Sequence, residues 1–180
     1  MSNRSLLLSV RTLGTLVCAV SMAGCASGPS MTVDEVTNQY EQIASLQKAL
    51  RSADAAGAAV LAPTGYAKAS QKLDEAIAAA QVGNADEARS LAASGTKRLA
   101  KVDSDMDQTR ELMMEVLEVR ERAKDAGASE IYPDRTAKME ESLSETSALI
   151  ERGKIEDAKK RRQSLIDGYS QLELAALKDG

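Results

Sequence analysis

The stretch that decides the fold spans residues 85–126 and reads ADEARSLAASGTKRLAKVDSDMDQTRELMMEVLEVRERAKDA. It contains no proline and a single glycine, Gly95. Small or apolar residues recur in it at alternating steps of three and four, the period of one face of a coiled-coil-like helix: Ala92, Gly95, Leu99, Val102, Met106, Thr109, Met113 and Val116. The spacing predicts one helix of about 42 residues, a rod of roughly 60 Å.

The helical period also holds on both sides of this stretch, and no segment from Thr32 onward alternates as a strand would. Thr32 and Glu35 have the spacing of a capping box, which predicts where the first helix begins. The chain from there is expected to be all-α, an elongated antiparallel bundle of helical hairpins. Its helices, about five in number, are predicted over 32–57, 63–83, 85–126, 133–153 and 155–180.

An internal repeat underlies the bundle, because the surroundings of Pro63 match those of Pro133, at an offset of 70 in the numbering. Residues 56–88 and 126–158 are identical at eleven of 33 positions, of which five are alanine. The turn GNADEA at 83–88 recurs as GKIEDA at 153–158. It resembles the turn of tetratricopeptide repeats, but their diagnostic aromatic positions are empty and the period is twice as long. The helical domain, 32–180, is therefore predicted to consist of two 70-residue units.

The N-terminal segment has the features of a secretory signal. Arg4 and Arg11 precede an apolar run over residues 12–24, and no acidic residue accompanies them. Thirteen residues span roughly 20 Å as a helix, which is shorter than the bilayer core of about 30 Å. Residues 1–24 are therefore predicted to be a signal peptide.

The signal ends at Met22, Ala23, Gly24 and Cys25, which resembles the lipobox of bacterial lipoproteins. The resemblance implies cleavage before Cys25, lipid on its thiol and a short tether over residues 25–31. Because Ala26 is not acidic, it also implies retention at the outer membrane, facing the periplasm. The alternative is an ordinary signal peptide in which Cys25 has no role.

Composition excludes several functions. The chain has no histidine, so it lacks a histidine general base and histidine metal ligands. It has no Phe or Trp, and 23 basic against 27 acidic residues leave a net charge of −4, which disfavours nucleic acid as a partner. No metal, cofactor or catalytic residue is predicted.

Two motifs imitate active sites. Ser45 and Lys48 have the S-x-x-K spacing of penicillin-interacting enzymes, but they lie within a predicted helix and the companion motifs are missing. Asp103, Asp105 and Asp107 imitate the start of a calcium loop, whose glycine and glutamate at places six and twelve are here Gln108 and Met114. Both patterns are interpreted as chance spacing on helix faces.

Two further clusters are candidates for contact with a partner. Lys159, Lys160, Arg161 and Arg162 form the one dense basic run, which is either a solvated face or a contact for an acidic partner or anionic lipid. Met106, Met113 and Met114 are either core residues or an adaptable binding surface.

A family resemblance rests on three features: the lipobox, the Ala-Pro-x-x-Tyr start at 62–66 and the turn at 83–88. Together they resemble small alanine-rich periplasmic lipoproteins of unknown function, whose helical domain also occurs ahead of OmpA-type domains. The resemblance covers about residues 25–103 well. The second unit matches more loosely, since Tyr132 there precedes Pro133.

The expected function is that of a non-catalytic outer-membrane lipoprotein. Its lipid would anchor it to the membrane, and its helix surfaces would act as a scaffold or adaptor for another envelope protein. The alternative is a carrier that holds a lipid-like or apolar small molecule between helices. An unrecognised hydrolase is the third class. A continuous apolar cavity would favour the carrier, and a flat exposed stripe would favour the adaptor.

Overall fold

The computed structural model describes residues 31–180, which are helical almost throughout and contain no strand. The predicted all-α class is confirmed. Residues 1–30, with the predicted signal peptide and the lipobox Met22–Cys25, lie outside the described residues. The nine helices of the described range are α1 (Val33–Gln39), α2 (Glu41–Ala55), α3 (Ala58–Leu61), α4 (Pro63–Gln81), α5 (Ala85–Leu112), α6 (Met114–Asp125), α7 (Ala128–Ile131), α8 (Pro133–Glu151) and α9 (Ile155–Asp179).

Two of the predicted helices are each divided in two. Tyr40 separates α1 from α2 with extended backbone angles (φ −113°, ψ 92°), while its side chain stays buried. Met113 kinks the long helix (φ −114°, ψ 18°). The helical hydrogen bonds continue past Met113, because its N–H donates to the Thr109 carbonyl and its own carbonyl accepts from Leu117 N–H, both at 2.9 Å. The described range therefore has nine helices where about five were predicted: two predicted helices are divided, and the single-turn helices α3 and α7 are additional.

The cap of the first helix is the one predicted from the sequence, and the cap of α5 is not. The capping box is confirmed, since Thr32 N–H donates to Glu35 Oε2 at 2.7 Å and Glu35 N–H donates to Thr32 Oγ1 at 3.3 Å. Asn84, with Glu87 three residues later, is predicted by its residue type to cap α5, but its side chain accepts no backbone hydrogen bond. Its amide instead donates to Glu87 Oε2 at 3.3 Å.

Helix bounds recur at the offset of the predicted repeat. The helices α3, α4 and α5 begin at 58, 63 and 85, and α7, α8 and α9 begin at 128, 133 and 155. The turns before α5 and α9 contain Gly83 and Gly153, whose φ angles are 83° and 73°. Glycine adopts this left-handed region without the clash that a Cβ would cause. In both turns the residue after the glycine donates its N–H to a carbonyl five residues back, at 2.9 Å.

The buried side chains form two cores. One combines α1 to α4 with α5 as far as Met106, and the other combines α6 to α9 and begins at Met113. All eight stripe residues predicted over 85–126 are buried, which confirms the inner face of this helix. The kink at Met113 thus lies where the helix leaves one core and enters the other.

Helix packing brings the two cores together beside the start of α4. In the first core α4 packs along α5, with α2 against both, and in the second α9 packs against α6 and α8. Across the junction α8 contacts α3, α4 and α5. Within residues 31–180, none of these helices has both the length and the hydropathy needed to cross a bilayer.

A candidate anion-binding cleft

A cleft of about 590 Å³ lies at the junction of the two cores. The start of α4, the middle of α5 and the end of α8 form its walls. Five of its side chains are cationic and two are acidic, so its lining carries a net charge of +3 in a protein whose net charge is −4. The lining consists of Thr64, Gly65, Lys68, Ser94, Lys97, Arg98, Lys101, Asp105, Glu151 and Arg152.

Helix α5 supplies half of this lining from one face. The five residues are separated by steps of three, one, three and four, so they follow each other along the helix beside the buried stripe: Ser94, Lys97, Arg98, Lys101 and Asp105. Lys68 comes from α4, and Arg152 comes from the turn after α8. Three separate elements therefore deliver the cations.

Glu151 closes one end of the cleft by binding the start of α4. Its two carboxylate oxygens accept hydrogen bonds from the backbone N–H groups of Thr64, at 2.8 Å, and Gly65, at 2.7 Å. Pro63 is the first residue of α4, so these N–H groups lie in its first turn and have no partner within the helix. The partial positive charge of a helix N-terminus favours a carboxylate at this place.

Asp105, the other acid of the cleft, is neutralised by its neighbour one turn earlier. The Asp105 side chain is 10% exposed, and Lys101 Nζ donates to its two oxygens at 2.5 and 2.6 Å. Both acids of the cleft thus have partners from the protein itself. Because five cations line the cleft, these two acids leave most of its positive charge uncompensated.

Four cations of the cleft form no ion pair within the described part of the chain. Of the 21 lysines and arginines in residues 31–180, eleven have a carboxylate oxygen within 4 Å, and four of the other ten line this cleft. They are Lys68, Lys97, Arg98 and Arg152. A concave site with a surplus of one sign of charge concentrates counter-ions, so the lining favours an anion.

The corresponding face of the second core lacks this charge. At the offset of the repeat, the counterparts of Lys97, Arg98 and Lys101 are Asp167, Gly168 and Gln171. Lys68 alone has a cationic counterpart, Lys138. A helix pair with the same starts, α8 and α9, therefore forms without the three cations of α5, which indicates that such a pair does not need them.

The basic run predicted as a partner contact lies elsewhere, on α9. Lys159 pairs with Glu156 at 2.9 Å, Lys160 with Asp157 at 2.8 Å, and Arg161 with Glu145 at 2.7 Å, and Arg162 pairs with Glu115. The hydrogen bond with Lys160 lowers the pKa of Asp157. Each cation of the run thus has an acidic neighbour, and contact with a partner at this run stays a prediction.

The other motifs singled out from the sequence are dispersed. Asp103 is exposed, Asp105 pairs with Lys101, and Asp107 pairs with Arg110 at 2.9 Å. Among residues 31–180, no three metal-binding side chains converge. Ser45 and Lys48 are exposed on α2.

The three methionines divide between core and surface. Met106 and Met113 are buried, in the first and second core respectively, as the core interpretation predicts. Met114 is 63% exposed beside the kink. They therefore do not form one binding surface.

Sequence reasoning missed the cleft, although part of it had a signal. Lys97 and Lys101 are four residues apart with Arg98 between them, which places three cations on one face of a predicted helix. Lys68 joins them because α4 packs along α5, and Arg152 joins them because α8 packs against the start of α4. No local pattern records that contact.

The cleft offers hydrogen-bond donors of the kind that bind oxyanions: ammonium groups, guanidinium groups and the hydroxyl of Ser94. No family model, curated protein or solved structure matches this chain. Its functional interpretation therefore rests on these residues and on the sequence.

Proposed function

We propose that the chain is a non-catalytic lipoprotein of the outer membrane, anchored through Cys25 and facing the periplasm, that acts as a scaffold or adaptor for another envelope protein. The observation that carries the proposal is the gathering in one cleft of four cations that form no ion pair within residues 31–180. Such a surface suits recognition of an acidic group on a partner. The lipobox Met22 to Cys25 supports the anchor.

We propose further that the helical domain is a duplication, two 70-residue units in an elongated antiparallel bundle of hairpins. The shared offset of helix starts and the paired glycine turns support this arrangement. Small-angle scattering of the purified protein tests the shape. A compact chain of this length has a radius of gyration of about 15 Å. A larger value is expected, and a value equal to that of the compact chain contradicts the elongated form.

The anchor is tested by replacing the modified residue. Cells expressing the natural chain should incorporate labelled fatty acid into it, and the Cys25→Ser variant should incorporate none. Fractionation of the natural chain should place it with the outer membrane. Absence of label from the natural chain would overturn the lipoprotein proposal, and recovery with the inner membrane would overturn the location.

The adaptor role is tested by cross-linking in intact cells. A photoreactive side chain in place of Lys97 should capture a specific envelope protein, and the same side chain in place of Lys138, the exposed counterpart of Lys68, should not. The captured protein should disappear when Lys68 and Arg98 are changed to Glu at unchanged helix content. The same photoreactive side chain in place of Lys160 tests the basic run of α9, and changing Lys159 and Arg162 to Glu should abolish any capture there.

Two results would remove the adaptor proposal. One is that neither the cleft nor the basic run captures a protein. The other is that the purified chain carries a lipid-like molecule in stoichiometric amount and captures no protein, in which case the carrier replaces the adaptor.

A further inference from the structure

We propose that the cleft between α4, α5 and α8 binds a phosphate group, either a soluble phosphate ester or the phosphate of a lipid headgroup. The inference goes beyond the proposed function: it concerns the same cleft, but it assigns a phosphate group, and not an acidic segment of a protein, as the group that enters it. A phosphate carries close to two negative charges at neutral pH and offers several acceptor oxygens.

The charge of the cleft favours a ligand with more negative charge than a single carboxylate carries. Five cations face two acids, and both acids are already bound, Asp105 by Lys101 and Glu151 by backbone N–H groups. A ligand with one charge would leave most of the surplus uncompensated. A phosphate neutralises about two of the three surplus charges, and a lipid phosphodiester reaches this only with a second acidic group.

The donors suit a phosphate in chemical type as well as in charge. Arg98 and Arg152 present planar guanidinium groups, which bind phosphate oxygens in pairs, and Lys68 and Lys97 present ammonium groups that turn toward any oxygen. The volume of about 590 Å³ lies within the range of sites for small organic ligands and exceeds what one inorganic ion fills. It therefore leaves room for the group to which the phosphate is attached.

The ligand is expected to bind through side chains alone. The backbone N–H groups at the start of α4, which would otherwise attract an anion, are occupied by Glu151 at 2.7 and 2.8 Å. Binding should therefore weaken with added salt and with loss of side-chain charge, while the hydrogen bonds that hold α8 against α4 persist.

The cations of the cleft should be dispensable for folding. Lys97 and Arg98 form no ion pairs with any described residue, and the matching face of the second core has Asp167 and Gly168 in their place. Like charges in one cleft repel, whereas the charge of Arg98 also attracts that of Glu75 on α4. Changing Lys97 and Arg98 to Gln should therefore leave the free energy of unfolding little changed. Loss of binding without loss of stability distinguishes a binding site from a structural one.

The experiment is calorimetric titration of the full-length Cys25→Ser protein with glycerol phosphate as the soluble ester. We expect one site per chain and affinity that falls as salt rises. The variant with Lys97→Gln and Arg98→Gln loses two charge-assisted contacts, so its affinity should fall about tenfold or more. Lys138→Gln, the matched control on the second unit, should bind as the parent does.

Vesicles distinguish the two sources of phosphate. If the ester binds weakly but vesicles with anionic phospholipid bind the protein more tightly than neutral ones, and Lys97→Gln with Arg98→Gln removes the difference, the phosphate is that of a headgroup. A polyglutamate peptide that binds when neither phosphate source does would overturn the phosphate assignment in favour of an acidic protein segment. Binding of none of the three probes overturns the site itself.

The outcome is separable from that of the adaptor proposal. Capture of an envelope protein at position 97 with no phosphate binding would refute this inference alone. Phosphate binding that depends on Lys97 and Arg98, with no protein captured, would support the inference and refute the adaptor.

Discussion

Gly65 donates its backbone N–H to Oε1 of Glu151 at 2.7 Å, across 86 residues of sequence. A Cβ at this glycine would lie 3.2 Å from the same oxygen and 3.0 Å from Cγ2 of Val102. The close approach of α4 to the carboxylate thus depends on the absence of a side chain. Through this contact the last turn of α8, in the second core, caps a helix of the first.

Glu151→Gln should therefore lower the free energy of unfolding. The variant keeps an acceptor but loses the charge that the start of α4 stabilises, at a cost of about 1–2 kcal/mol for a half-buried contact. Urea denaturation followed by circular dichroism measures this loss in the free energy of unfolding. Glu141→Gln, on an exposed face of the same helix, is the control and should change stability by less than about 0.5 kcal/mol. Equal effects of the two substitutions would contradict the capping role.

Two helical glycines should respond differently to substitution by alanine. A Cβ at Gly95 would lie 2.5 Å from Leu46 Cδ2 and 3.2 Å from Lys72 Cβ, and Leu46 is 1% exposed, so nothing can move aside. Overpacking of about 1–3 kcal/mol should exceed the gain of about 1 kcal/mol in helix propensity, and Gly95→Ala should destabilise.

At Gly168 the added Cβ would meet only the end of Met139, a flexible side chain that is partly exposed. Gly168→Ala should therefore leave the midpoint of urea denaturation unchanged or raise it, by up to about 1 kcal/mol in stability. The pair fails as a prediction if Gly95→Ala proves the more stable variant.

The inner faces of the helices could be predicted from sequence because they depend on local spacing. The stripe from Ala92 to Val116 is buried as its three-four pattern indicates. The kink at Met113 could not be predicted in this way, because it lies where the helix passes from one core to the other. Tyr40 is a similar case, with extended backbone angles and a buried ring.

The cleft could not be predicted from the sequence, because tertiary packing decides which cations meet an acidic side chain and which do not. The basic run of α9 has the strongest local signal, yet Arg161 and Arg162 find Glu145 and Glu115 on other helices. The weaker signal of Lys97 and Lys101 gains importance only when α8 brings Arg152 beside them. A local count of charges cannot tell these two cases apart.

Tyr169 should make the protein sensitive to alkaline pH. Its ring is 1% exposed, and its hydroxyl donates to Glu140 Oε1 at 3.0 Å, while Arg120 donates to both oxygens of that carboxylate at 2.7 Å. Burial, and then the charge of Glu140, raise the pKa of Tyr169 above its usual value of 10.0. Stability from a raised pKa is complete below the unfolded value and is lost as pH rises above it.

The natural protein should accordingly lose about 1 kcal/mol of unfolding free energy between pH 10 and pH 11 from this group. Tyr169→Phe should lose correspondingly less over that interval, although at pH 7 it should be less stable by about 1 kcal/mol for the missing hydrogen bond. Tyr40→Phe is the control at pH 7, since the Tyr40 hydroxyl forms no hydrogen bond within the described residues. Parallel pH profiles for natural protein and Tyr169→Phe would refute the prediction.

The turns at Gly83 and Gly153 should be equally sensitive to alanine. Their φ angles are 83° and 73°, and an added Cβ would meet nothing within 4 Å at either, so the whole cost is backbone strain. That strain is about 1–2 kcal/mol for a left-handed residue with a side chain. Urea denaturation should show the two single variants within about 0.5 kcal/mol of each other and the double variant near their sum. Asn at either position tolerates this region better and should recover part of the loss. A large difference between the two alanine variants would mean that the turns are not equivalent, and it would count against the proposed duplication.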